Sequence, residues 1–285
     1  MHTVAEEARP AAGSSPLEGL LRRDRTVTAA ALLALAAIAW IALFRMRTGM
    51  APVPGAATAM PGVEMPGMGM PGMLMPGMYA WSALDVVMLT VMWAVMMTAM
   101  MLPSAAPMIL LVAGMHRRRR ERSTPAAPTA LFAAGYLVVW SGFSAGIALA
   151  QWGLHQAALL SPAMASTSPV LGGFLLAIAG VYQWLPAKSA CLSHCRSPLG
   201  FLTREWREGS AGAVVMGMRH GLFCLGCCWA LMTLLFVAGV MNLLWVAAIA
   251  GLVLVEKVAR SGPWIGKLTG LALAGWGAWM LAAAS

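Results

Sequence analysis

The chain has 285 residues, 60% of them hydrophobic and only 10% charged, with a formal net charge of +9. That balance excludes a single water-soluble domain and makes a lipid bilayer the natural solvent. It does not point to nucleic acid, because the basic residues gather at the ends of apolar stretches instead of forming a face interleaved with aromatics.

Residues 1–25 are small and polar and read as a cytoplasmic tail. A hydrocarbon core of roughly 30 Å needs about 20 apolar residues per helical span. Suitable stretches are Thr26–Phe44, Trp81–Met101, Ala130–Gln151, Pro169–Pro186, His220–Val240, Leu243–Val255 with its flanks, and Trp264–Ala284. They predict an all-α, polytopic transmembrane helical bundle of about seven spans, since an open sheet in lipid would leave backbone groups unpaired. Met241-Asn242 reads as a tight helical hairpin between the fifth and sixth.

With the N-terminus in the cytoplasm, 17 of the 19 basic residues fall inside and only Arg45 and Arg47 outside. This asymmetry predicts an N-in, C-out arrangement in a bacterial inner membrane. The first span also has the basic flank of a signal peptide, but Arg45 and Arg47 interrupt the stretch that would lead to a cleavage site.

Residues 45–80 form an extracytoplasmic loop of a different kind. Within Met50–Met78 the triplet Met-Pro-Gly recurs at Met60, Met65, Met70 and Met75, with further methionines at Met68, Met73 and Met78. Proline and glycine at that density favour an extended segment. Thioethers are soft ligands that prefer Cu(I), so an exposed run of them points to capture of that ion; the competing reading is a low-complexity linker.

Residues 81–285 read as a metal-binding transmembrane domain. Its first helix carries Met92, Met96 and Met100 at successive i, i+4 steps after Met88, with Met97 and Met101 one position along. These make a stripe that suits either adaptable packing or a series of soft metal sites. Asp85, an ionisable residue near the outer end of that span, is a functional candidate by its depth alone.

All five cysteines lie in two clusters. Cys191-Leu192-Ser193-His194-Cys195 follows the fourth span, and His220-Gly221-Leu222-Phe223-Cys224-Leu225-Gly226-Cys227-Cys228 opens the fifth. On a helix, Cys191, His194 and Cys195 share one face, as do His220 and Cys224, with Cys227 and Cys228 one turn on. Each cluster supplies half of a closed coordination shell, and both fall at the cytoplasmic side, so together they predict a shared metal centre. A disulfide fits poorly with a reducing compartment and an odd count; small-hydrophobe packing and a reactive thiol remain alternatives. Lys188, Arg196, Arg219 and Lys257 are expected to surround the thiols with positive charge.

The stretch Trp93–Met108, the CLSHCRSP element Cys191–Pro198, the RHGLFCLGCCWALM element Arg219–Met232 and the LVLVEK element Leu252–Lys257 resemble a bacterial family of predicted metal-binding integral membrane proteins with no assigned reaction. The resemblance runs from about Tyr79 to the C-terminus and implies a metal site on Cys191, His194, Cys195, His220, Cys224, Cys227 and Cys228. The Met-Pro-Gly loop lies outside it. The sequence therefore leads to the expectation of a Cu(I)-handling membrane protein, with zinc as the competing ion and a metallochaperone or metalloenzyme as partner. The rival classes are a membrane metal- or thiol-dependent oxidoreductase and a non-catalytic assembly subunit.

Overall fold

The computed structural model describes residues 16–49, 82–119, 126–157 and 168–284. The Met-Pro-Gly loop lies outside the described residues. Regular structure among them is entirely helical: α1 Pro16–Gly49, α2 Ala83–Arg119, α3 Ala126–Gln156, α4 Pro169–Tyr182, α5 Pro186–Arg196, α6 Pro198–Glu205, α7 Gly209–Thr233, α8 Leu235–Ala238, α9 Leu243–Val258 and α10 Gly262–Ala284.

The helix starts follow from local chemistry. Proline opens α4, α5 and α6, where its missing N–H is no loss. Ser82 and Asp85 form a reciprocal cap on α2: the Ser82 N–H donates to Asp85 Oδ2 at 2.7 Å and the Asp85 N–H to Ser82 Oγ at 3.4 Å. Asp85 is thereby engaged as a helix cap. Gly239 ends the α8 turn with φ +89°, a backbone region that disfavours side chains, and the Asn242 N–H donates to its carbonyl at 3.0 Å before α9 begins. This is the hairpin expected at Met241-Asn242.

Among the described residues, four helices are long and apolar enough to cross a membrane, at Arg25–Thr48, Ala83–Met115, Ala127–Gln156 and Gly209–Ala238. A fifth arises if α4 and α5, bent by 63° at their junction, count as one span. The expected seven spans are thus not confirmed. Two of the expected spans are too short alone: α4 has 14 residues and α9 has 16, against about 20 for a full crossing. α10 has the length, at 23 residues, but its glycines, its tryptophans and Lys267 dilute its apolar character.

Other boundaries also move. α2 continues past Met101 to Arg119 with Pro103 and Pro107 inside it. Each proline deletes one backbone hydrogen bond, which a helix buried among neighbours tolerates. α7 starts at Gly209, so the second cysteine element sits in mid-helix instead of opening the span.

Packing depends on close backbone approach at small residues. A Cβ at Gly217 would lie 2.0 Å from the Phe132 carbonyl oxygen, and one at Gly221 would lie 2.9 Å from Val139 Cβ, so α3 and α7 run side by side in the same direction. α4 and α10 pair in the opposite sense, with Gly180 against Gly270 and Ala274, and Gly173 against Gly277 and Leu281. α2 and α3 are antiparallel: the buried Trp93 Nε1 donates to Gln151 Oε1 at 2.6 Å near one end, and Tyr136 Oη donates to the Met101 carbonyl at 3.2 Å toward the other. The outward faces carry large exposed apolar side chains, among them Leu33, Ile38, Phe44, Trp264, Leu268 and Trp279.

Candidate metal centre

Cys224, Cys227 and Cys228 are buried on α7, and their i, i+3, i+4 spacing brings them to one side of that helix. Cys224 is the hub. Lys257 Nζ, from α9, donates to its Sγ at 2.9 Å, and Tyr136 Oη, from α3, lies 3.1 Å from the same sulfur. The side chain of Cys195, on α5, lies beside those of Cys224 and Cys227, so the two cysteine elements meet between α5 and α7.

Cys191 approaches α7 one turn earlier. Its Sγ lies against Gly226, where a Cβ would come within 2.7 Å of it. The glycine in the sequence LGCC therefore makes room for the cysteine of the other element. Tyr182 Oη fastens the same place by donating to the Gly226 carbonyl at 2.5 Å.

The two histidines are set differently. His194 stacks on Phe223 with ring centroids 4.1 Å apart and planes 3° from parallel, and its Nδ1 is 2.9 Å from the Ala190 carbonyl oxygen. Donation from Nδ1 leaves the lone pair of Nε2 free. His220 is buried between the rings of Phe132 and Tyr136, with Phe201 edge-on. Its Nδ1 is buried without a hydrogen-bond partner among the described residues, a condition that calls for an explanation in a packed interior.

Met92, Met96 and Met100 are buried in α2 together with Met97, Met101 and Met108, whereas Met88 is exposed. The methionine that reaches the thiols is Met101: its Sδ is 3.8 Å from Cys228 Sγ. Leu102, Pro103 and Ser104 follow it, and Ser104 Oγ donates to the Met101 carbonyl at 2.8 Å while accepting from Lys257 Nζ at 2.9 Å.

The expected ring of positive charge is not what forms. Only Lys257 points at the thiols. Lys188 is buried against Glu256, with Nζ to Oε2 at 2.7 Å. Arg196 donates to the carbonyls of Glu256 at 2.6 Å and Ala259 at 2.7 Å, closing the C-terminus of α9. Arg219 pairs with Glu205 at the surface. Arginine and lysine near a cysteine in sequence find the nearest acid or open carbonyl, and all three of these find theirs outside the thiol cluster.

Among the described residues, no three His, Cys, Asp or Glu side chains already converge as a metal shell. The reason is visible in the thiol rotamers: Cys227 and Cys228 turn back to donate to the Cys224 carbonyl at 3.0 and 2.9 Å. Rotation about Cα–Cβ would free both sulfurs from those weak bonds. The donors gathered here are thiols, a thioether and imidazole, a soft set that fits Cu(I) and excludes hard cations such as Mg²⁺ or Ca²⁺.

A family model described as PpoB2, copper chaperone, matches residues 90–280, which take in α2 from its third turn, both cysteine elements and Lys257. The chain belongs to the PpoB2 copper chaperone family. No curated protein and no solved structure matches it. The family region begins just before Met92 and leaves out the Met-Pro-Gly loop, as the resemblance in the sequence did.

Sequence spacing had pointed to the cysteines and histidines but not to Tyr136 or Ser104, which carry no motif. Met101 was visible only as an appendage to the stripe. Lys257 had one signal, its place in the LVLVEK element.

Proposed function

We propose that this PpoB2-family protein receives Cu(I) within a membrane and passes it to an acceptor, using the Cys/His centre between α5 and α7 as its holding site. The observation that carries this is the contact of Met101 Sδ with Cys228 Sγ at 3.8 Å, which joins a buried methionine column on α2 to the thiol cluster. A thioether followed by thiols is a graded series: the ion leaves weaker ligands for stronger ones without passing through bare hydrocarbon, where an unliganded cation is very costly.

Cys195, Cys224, Cys227 and Cys228 supply thiolates, with His220 and His194 as nitrogen donors and Cys191 at the margin against Gly226. Met92, Met96 and Met100 act earlier in the path, and the Met-Pro-Gly loop captures the ion outside. The Lys257 ammonium offsets the negative charge of a multiply thiolate-bound monovalent ion. The bilayer placement, with the N-terminus and the metal centre toward the cytoplasm of a bacterial cell, is supported by the apolar outer faces and by the direction of α2, opposite to that of α3 and α7. Zinc suits Cys and His equally but gives no role to the buried thioethers.

The test is the metal content of protein purified without chelator, by elemental analysis and X-ray absorption. Copper with mostly sulfur scatterers is expected, and Cys195→Ser and Cys224→Ser should each remove most of it. Zinc at full occupancy, or metal unaffected by either change, would overturn the reading.

A further inference from the structure

Cys195 reaches the thiols of α7 only because α5 holds its place, and α5 is a helix of 11 residues that follows a 63° bend. Its buried core contribution is small: Leu192 and Lys188 are its buried residues. To that packing and the stack of His194 on Phe223 are added polar ties.

Both ends of α5 are fastened to one residue. In its first turn, Lys188 Nζ donates to Glu256 Oε2 at 2.7 Å and also to Gln183 Oε1. At its last residue, eight positions and about 12 Å further along the helix, Arg196 Nη1 donates to the main-chain carbonyl of the same Glu256 at 2.6 Å. Lys188 and Glu256 are 3% and 1% exposed, so this is an ion pair shut away from water. The second carboxylate oxygen, Oε1, faces α10, where a Cβ on Gly266 would lie 2.8 Å from it. The next residue, Lys257, points the other way along α9 to Cys224 and Ser104. The dipeptide Glu256-Lys257 thus ties α5 on one side and α7 with α2 on the other.

We propose that Glu256 is a positioning residue for the copper site: by holding Lys188 and Arg196 it sets the distance between Cys195 and the thiols of α7. This rests on the copper reading above for its purpose but not for its geometry. A buried ion pair contributes little net stability relative to apolar residues of the same size, so its value here lies in fixing one arrangement. Severing it leaves α7 and its three cysteines in place and releases the first turn of α5, which then pivots about Arg196.

The experiment uses the full chain in lipid nanodiscs with Cys191, Cys227 and Cys228 replaced by serine, leaving Cys195 and Cys224. Dibromobimane, which becomes fluorescent on bridging two nearby thiols, reads their separation without metal. Glu256→Gln and Lys188→Met are each expected to lower bridging severalfold, and Lys188→Arg to keep most of it. Together, Glu256→Gln with Lys188→Met bury no unpaired charge; this double variant should stay monodisperse and lose no more than either single change, because both act through one contact. Should the single variants fail to fold, the double variant decides. Wild-type bridging in the double variant would overturn the proposal. Copper content of the same Glu256 and Lys188 variants with all five cysteines present is expected to fall in parallel. If the unaltered protein holds no copper while bridging still depends on Glu256, the copper reading fails and the clamp stands.

Discussion

Lys257 Nζ lies 2.9 Å from Cys224 Sγ, in a contact between residues 33 positions apart in the chain. The lysine is buried, and its other partner is the Ser104 hydroxyl. An ammonium in that position offsets thiolate charge at the centre of the cysteine cluster without occupying a coordination position, since nitrogen carrying its full set of protons has no lone pair to offer.

Replacing Lys257 by methionine keeps the length and removes the charge. Cu(I) affinity is expected to fall roughly 10- to 100-fold, the usual effect of losing a group that supports the ligands from behind. Competition with a chromogenic Cu(I) chelator measures it. Lys257→Arg, which keeps the charge but not the compact donor, should fall between the two.

Met101→Leu nearly preserves volume and should cost less than ~1.5 kcal/mol in stability. Copper loading in cells is nevertheless expected to drop, because the sulfur that touches Cys228 is lost. Met92→Leu with Met96→Leu should lower loading from external copper but leave loading of detergent-solubilised protein from Cu(I) in solution unchanged. Normal accumulation in cells at wild-type abundance would leave the column as packing alone.

Asp85 serves α2 as a cap through Ser82, so Asp85→Ala is expected to destabilise the protein by about 1 kcal/mol and to leave copper content as it was. Thermal unfolding and elemental analysis of the same preparation separate the two effects. A stable variant with little copper would restore Asp85 as a functional group.

Gly217→Ala sets a methyl carbon 2.0 Å from the Phe132 carbonyl oxygen, where the neighbour is backbone and cannot rotate away. α3 and α7 must part, and destabilisation of about 1–3 kcal/mol or more is expected. Gly251→Ala, at a helical site with nothing within 4 Å of the added carbon, is the control. The two are compared by thermal unfolding in one detergent.

The helical class, the apolar runs and the grouping of the thiols were legible in the sequence, because each is a property of local composition and period. Cys191, His194 and Cys195 share a short segment, as do His220, Cys224, Cys227 and Cys228, so helical spacing alone groups them. Tertiary structure decided what spacing cannot encode. Tyr136 meets Cys224 across 88 positions and Met101 meets Cys228 across 127, contacts set by how α3, α2 and α7 pack through their glycines. The same packing sent Lys188 to Glu256 and Arg196 to the end of α9, leaving Lys257 as the cation at the thiols. Span number also escaped a hydropathy reading, because a run as short as α4 or α9 looks apolar enough until its helix ends are fixed by proline, by Gly239 and by the bend before Pro186.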